Sequence, residues 1–443
     1  MEEAGLAMDA TQVRPVISRY MLADGLDLVM DLERSHGSRI HDAKTGTTFI
    51  DFFGCFATIP LGYNHPAMTS REAIEELGRV AVQKPSNSDV YSREMARFVA
   101  TFCRLARPDF MPHLFFIEGG TLAVENALKV AFDWKVRRNF AKGMSTEKGH
   151  KVIHFKQAFH GRSGYTLSLT NTADPRKTAY FPKFDWPRIL NPKCVFPLTG
   201  ENLDSVRARE EQALGQIRAV LDEEADGVAC MILEPIQGEG GDNHFRPEFH
   251  RALREVCDQY GILLIYDEVQ TGFGATGTMW AFEHYARPDI IAFGKKSQVC
   301  GVMVNGRIDD VPDNVFHTSS RINSTWGGNL VDMVRCRMYL EIYEEERILE
   351  TVRRRGELLL RELQVLQSEF PDRVSNARGK GLFCAVDLPD REFRSGFLKA
   401  LFARRVVMLG CGDRSVRFRT ALNIPEADLL EGLSIIRQVL RAM

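Results

Sequence analysis

Short, apolar, β-branched runs alternate with long helical stretches from about residue 70 onward, and this alternation limits the fold more than any other feature of the chain. The clearest runs are Lys151–Phe155 (KVIHF), 227–233 (GVACMIL), 262–269, 289–293 and 299–304. Strands separated by helices build βαβ units, so an α/β fold with a parallel sheet is expected. At 443 residues the chain exceeds the size at which one hydrophobic core usually stops growing, so it should divide. We expect an N-terminal arm over 1–70 that forms part of a smaller domain, a large domain over 71–329, and a C-terminal α+β domain over 330–443. The arm ends in the weakly alternating Thr-Phe-Ile-Asp51-Phe-Phe. In the C-terminal part an amphipathic helix should start near Leu330 and another run over about 351–368. Strands should follow over 381–388 and 415–419. Residues 141–150 read as a surface loop. Residues 174–204, rich in proline and aromatics without a clean period, read as the kind of irregular segment that covers a site or an interface.

A net charge of −2 with both signs interspersed offers no basic footprint for nucleic acid and no polybasic patch for a membrane. No apolar run approaches the roughly 18–20 residues of a membrane span. Nine cysteines without a C-x-x-C pair argue against a disulfide framework or a structural zinc site, and for a reducing cytosol. The acidic start, Met-Glu-Glu-Ala-Gly, does not read as a signal peptide, so a cytoplasmic location is expected.

Two of the apolar runs end in ionisable groups. Asp267 closes one, in Ile-Tyr-Asp267-Glu-Val-Gln270, and Lys295 follows the other, in Ala-Phe-Gly294-Lys295-Lys296. In open α/β sheets the C-terminal strand ends are where ligands bind. Pyridoxal phosphate needs both groups, a lysine for its Schiff base and an aspartate for its pyridinium nitrogen. An ion pair at a sheet edge would look the same in sequence.

Other segments carry similar two-sided signals. Gly119-Gly120-Thr121 lies between an apolar run and a helical stretch, where backbone N–H groups and the helix dipole can hold a phosphate, or where the chain simply turns. Phe159-His160-Gly161-Arg162 follows KVIHF; a flat aromatic there can stack on a planar cofactor and an arginine can grip a carboxylate. A lone phenylalanine is more often core, and His160 alone is more often structural. Glu234-Pro-Ile-Gln-Gly-Glu239-Gly-Gly ends another run and holds two carboxylates in a glycine turn, which on its own could be a surface turn. Asn323-Ser-Thr325-Trp-Gly-Gly is a small polar cluster, and Val416-Arg417-Phe418 puts an arginine on a late strand.

Gly272-Phe-Gly274-Ala-Thr-Gly277 matches the dinucleotide fingerprint in letters only. The following segment is short and ends in proline, with no acid suitably placed beyond it, so we reject that reading. No H-E-x-x-H, P-loop or Ser/His/Asp order is present, and the eleven histidines show no metal-ligand spacing, so no metal is expected.

Taken in order, Gly-Gly-Thr, F-H-G-R, E-P-I-Q-G-E-G-G, D-E-V-Q-T-G, G-K, S-T-W-G-G-N and V-R-F resemble the class III, ornithine-type aminotransferases of PLP fold type I over nearly the whole chain. That resemblance implies a large domain with a mostly parallel seven-stranded sheet between helices, a smaller α+β domain, pyridoxal 5′-phosphate as cofactor, and a homodimer with shared active sites. It implies Lys295 as Schiff-base lysine and proton shuttle, Asp267 at the pyridinium nitrogen, Gln270 near the ring hydroxyl and Phe159 stacked on the ring. Gly119, Gly120 and Thr121 would hold the phosphate, with Thr325 supplied by the other subunit.

The stretches KFDWPRI, HFRPEF, AFGKKSQVCGVM and SRINSTWGGNL resemble the branch of the family that transfers the 6-amino group of L-lysine to 2-oxoglutarate. For those substrates the resemblance implies Arg162 at the distal carboxylate and Arg417 at the carboxylate beside the reacting carbon. Glu239 would mask Arg417 while lysine is bound, and Asn323 would add a polar contact. Ornithine, 4-aminobutyrate or diaminobutyrate transfer is the alternative within the family; a PLP-free dimeric binding protein is the alternative outside it. One departure stands out: where the family often has prolines after the Arg-Phe pair, this chain reads Arg419-Thr420-Ala421.

Overall fold

The computed structural model describes residues 8–443. Its centre is a seven-stranded sheet in the spatial order His113–Ile117, Cys300–Val304, Ile290–Phe293, Leu263–Asp267, Val228–Leu233, Lys151–Phe155, Arg188–Ile189. All strands point the same way except Cys300–Val304, which is antiparallel to both neighbours. The link 294–299 explains the reversal, because a parallel return needs a crossover of a dozen or more residues. Val228–Leu233 and Leu263–Asp267 are buried at every position. That is why they read as continuous apolar runs rather than alternating ones: helices cover both faces of the sheet.

One face packs on the helix Gly120–Ala141 through Ala123, Ala127, Val130 and Trp134, against Ile232, Ile265 and Ala292 of the strands. On the other face, Met231, Leu264 and Ile291 meet helices Arg93–Leu105, Pro247–Tyr260 and Leu330–Glu345. Gly120–Ala141 also buries Leu128, Phe132 and Asn139 elsewhere on its circumference. Helix Leu330–Glu345 departs from the amphipathic expectation in the same way, burying ten of its 16 residues, among them Met333, Cys336, Arg337 and Leu340. A helix wedged between other elements loses its solvent face and with it the stripe.

Two smaller sheets flank the first. Ser375–Lys380, Phe383–Asp387, Ser415–Phe418 and Leu409–Cys411 form an antiparallel sheet. Arg39–Asp42 and Thr47–Asp51 form a hairpin that Val406–Val407 extends in parallel, which ties the N-terminal segment to the C-terminal one. The irregular stretch 174–204 holds the 3-10 turn Pro175–Lys177, the edge strand Arg188–Ile189 and the start of helix Gly200–Glu224.

The glycines of 272–277 serve a close approach. A Cβ on Gly274 would lie 3.0–3.2 Å from Leu422, Leu349 and Tyr343, and one on Gly277 would lie 2.7 Å from Arg353. They let this turn sit against the C-terminal helices, and only the short 3-10 turn Ala281–His284 follows them. All nine cysteines are free thiols, and no described helix is long and apolar enough to cross a membrane.

Candidate active site

Because six strands of the sheet share one direction, their C-terminal ends open on one edge. Asp267 is the last residue of Leu263–Asp267, Glu234 follows Val228–Leu233, Phe159 and His160 follow Lys151–Phe155, and Lys295 follows Ile290–Phe293. Strand His113–Ile117 delivers Gly119 to the same edge. Arg417 enters from the neighbouring antiparallel sheet.

Asp267 is buried. Its Oδ1 accepts from the Val269 N–H at 3.1 Å and its Oδ2 accepts from His160 Nδ1 at 2.7 Å. A carboxylate only accepts, so the shared proton sits on Nδ1 of the imidazole. His160, read from sequence as structural, is therefore the residue that aims Asp267. Its signal was a position one residue after Phe159, beyond the end of a strand two places from that of Asp267. Beside this pair, Glu234 accepts from the N–H groups of Phe159 (3.0 Å) and Gly238 (2.9 Å), and burial pushes its carboxyl up to about 7. Glu268, adjacent in sequence to Asp267, faces the other way and caps the turn at Ala281 and Phe282.

Lys295 has φ +54°, a left-handed conformation unusual for a side chain of this size. Such strain costs about 1–3 kcal/mol and gathers at functional sites. Burial pushes its amine down to about 8, helped by the nearby charges of Arg417 and Arg419 and opposed by Glu234 and Asp267. An ordinary lysine is almost wholly protonated at neutral pH, whereas this one holds an appreciable neutral fraction. Lys296 is buried and turned elsewhere, donating to the Ala57 carbonyl at 3.2 Å.

Gly119 caps helix Gly120–Ala141 with φ +91°, and no atom lies within 4 Å of where its Cβ would be. Gly119 and Leu122 are exposed and Gly120 and Thr121 partly so, which leaves this helix N-terminus accessible to an anion. At Gly161 (φ +131°) a Cβ would lie 2.3 Å from Thr121 Oγ1, so that glycine leaves room for the Thr121 hydroxyl.

Arg419 is a further residue that the sequence reading passed over. It is buried, donates to Asp242 through Nη1 (2.9 Å) and Nη2 (2.5 Å), and donates to Gln270 Oε1 through Nε (3.0 Å) and Nη2 (2.9 Å). Arginine has no acceptor, so Gln270 must turn its carbonyl toward Arg419 and keep its NH2 for another partner. A spacing of two from Arg417 on an extended strand, which puts both side chains on one face, was the available signal.

Arg417 is buried. Its Nη2 donates to Glu239 Oε2 at 2.8 Å, while its Nε is buried without a partner. Burial would raise the Glu239 carboxyl, but Arg417 and Lys177 outweigh it and hold the group below its usual range. The half-buried Phe159 ring has Arg162 Cζ and Lys177 Nζ each 5.7 Å from its centre. Arg162 is exposed and has no ion-pair partner among the described residues. Asn323 and Thr325 are not drawn in; both lie on an exposed loop without a hydrogen bond to any other candidate residue.

The donor set fits pyridoxal phosphate. It offers an aimed buried carboxylate for a ring N–H, a lysine with a lowered pKa, an amide NH2 to spare on Gln270, and an open helix N-terminus for a phosphate. One group that brings three ligand atoms within 4.8 Å, His113, Asp309 and His317, lies at the opposite edge of the sheet and comes from sequence positions too scattered to form a motif.

Comparison with known proteins gives the following. The class III aminotransferase family matches residues 20–440. The L-lysine-epsilon aminotransferase of Mycobacterium tuberculosis is 51% identical over 439 residues, covering 99% of this chain and 97% of the relative. That of Amycolatopsis lactamdurans is 49% identical over 435 residues, covering 97% and 95%. Among solved structures, a lysine aminotransferase from M. tuberculosis superposes with a TM-score of 0.96 at 51% identity, covering 98% of this chain and all of that one.

Proposed function

The chain belongs to the class III aminotransferases, enzymes that use pyridoxal 5′-phosphate, and from that premise we propose that it moves the 6-amino group of L-lysine to 2-oxoglutarate. The products are glutamate and 2-aminoadipate 6-semialdehyde, which cyclises, and the two half-reactions alternate in ping-pong order. The observation that carries a side-chain amine as donor is the ion pair between Glu239 and Arg417, and the 51% identity to an L-lysine-epsilon aminotransferase favours lysine among such amines. Lysine has no carboxylate beside the reacting carbon, so an unmasked buried arginine there would strand a charge against its apolar chain. A dicarboxylate needs that arginine bare. A site that serves both must mask and unmask it, and Glu239 is the mask.

The bound cofactor supplies an electron sink for the carbanion left when a C–H bond beside the nitrogen breaks. The protein does the rest. Asp267, aimed by His160, holds a proton at the ring nitrogen. Gln270 offers its NH2 to the ring hydroxyl, Phe159 covers the ring face, and Gly119, Gly120 and Thr121 take the phosphate. Lys295 Nζ would tether the cofactor and, as a free amine, would accept and return a proton at the reacting carbon; its lowered pKa suits it to both. Arg162, exposed and unpaired, takes the distal carboxylate of either substrate.

Asn323 and Thr325 act at the site of the other subunit in a homodimer, in keeping with their exposed loop. Residues 71–329 form the cofactor-binding unit, with the described part of 1–70 and 330–443 around it. The nine free thiols favour work in the cytoplasm. Single-turnover rates with L-lysine, L-ornithine and 4-aminobutyrate test the reading. L-Lysine should react fastest; a faster ornithine or 4-aminobutyrate half-reaction would transfer the assignment to that amine.

A further inference from the structure

Glu239 does not serve Arg417 alone. Its Oε1 accepts from the Lys177 ammonium at 2.5 Å while Oε2 accepts from Arg417 at 2.8 Å, so two cations share one carboxylate. Lys177 ends the 3-10 turn Pro175–Lys177, inside the irregular segment that the sequence marked as a cover. Its side chain is 16% exposed and that of Arg417 4%. Behind the Glu239–Lys177 pair a cavity of about 350 Å³ opens, lined also by Asp174, Arg176, Arg391 and Arg394. Arg176 is held by both oxygens of Asp174 and Arg391 lies 3.4 Å from Asp413, which leaves Arg394, whose Nη1 donates only to the Cys411 and Gly412 carbonyls, as the arginine without a carboxylate partner among them.

When Arg417 takes the carboxylate of 2-oxoglutarate, Glu239 has to leave it. Breaking an ion pair so that one partly buried charge stays uncompensated is the costly route. Lys177 removes that cost, because it already holds the other oxygen and lines the same cavity as Arg394. We propose that Lys177 is a specificity-determining residue that keeps hold of Glu239 as Arg417 is released and draws it toward Arg394. This role rests on the lysine and 2-oxoglutarate reading above. The lysine half-reaction, during which Glu239 stays on Arg417, needs Lys177 little.

The test compares wild type, Lys177→Met and Lys177→Arg in separate single-turnover half-reactions, together with equilibrium binding of the unreactive dicarboxylate glutarate. In Lys177→Met the affinity for 2-oxoglutarate and for glutarate should fall by roughly tenfold, the order of one partly shielded ion pair. The lysine half-reaction should stay within about twofold, and Lys177→Arg should recover most of the loss. In a Glu239→Gln background the Lys177→Met change should add nothing, since the coupling is then absent. Equal losses in both half-reactions, or unchanged dicarboxylate binding, in an enzyme that turns over lysine would overturn the role of Lys177. A wild-type protein that does not accept the side-chain amine of lysine would overturn the underlying reading instead.

Discussion

Asp267 and His160 come from the ends of two different strands of the central sheet and meet through a 2.7 Å hydrogen bond with both side chains buried. The imidazole fixes which way the carboxylate points and leaves Oδ1 to the Val269 N–H. Asp267→Ala should abolish turnover. His160→Gln should weaken cofactor binding and kcat together by roughly tenfold or more, the worth of one charge-assisted hydrogen bond. Cofactor titration and steady-state kinetics on the two variants check this; an unaffected His160→Gln enzyme would reduce His160 to packing.

The adjacent lysines should separate cleanly. Borohydride reduction of the loaded protein followed by peptide mass mapping should find the cofactor adduct on Lys295. Lys295→Ala should lose both adduct and turnover. Lys296→Met should keep the adduct, because Lys296 points to the Ala57 carbonyl. An adduct on Lys296 would reverse the assignment.

The pKa of Lys295 gives a pH signature. In the proposed role the neutral amine is the nucleophile that captures the cofactor, and burial, with Arg417 and Arg419, lowers its pKa from 10.5 to about 8. Below that value the amine is mostly protonated, so the rate at which apoprotein takes up cofactor should climb about tenfold per pH unit and then level off near pH 8. Absorbance-monitored reconstitution across pH 6–11, a range of about five units around the lysine values, reads this directly. A midpoint near 10.5 would mean an unperturbed lysine.

Arg419 is a positioning residue for Gln270 and the partner of the fully buried Asp242. Arg419→Met leaves that carboxylate buried and unpaired, which should lower stability by about 3–5 kcal/mol in denaturant unfolding. The double variant Arg419→Met, Asp242→Asn should recover part of that loss while cofactor affinity stays low, because Gln270 remains unheld.

Much of the central sheet was legible because a strand covered on both faces is written as an uninterrupted apolar run. Asp267 and Lys295 stood out because each breaks such a run at its end. The reversed strand Cys300–Val304 was legible in principle from its short link to Ile290–Phe293, whereas the two-residue strand Arg188–Ile189 leaves no period to read. For His160 and Arg419 only position, beside Phe159 and two from Arg417, was a signal, and Lys177 carried none, for another reason. Each acts through a partner about sixty or more positions away, and nothing local distinguishes an aiming imidazole from a core one. Asn323 and Thr325 meet none of the others within one chain, and the place proposed for them is the site of a second copy.

The most direct measurement supplies L-lysine labelled with 15N on the side-chain amine, together with 2-oxoglutarate, and follows the label by mass spectrometry. The account predicts 15N-glutamate and the cyclised product of the lysine aldehyde, with no labelled glutamate when the label sits on the 2-amino group instead. Label passing from the 2-amino group, or no transfer from lysine at all, would contradict it.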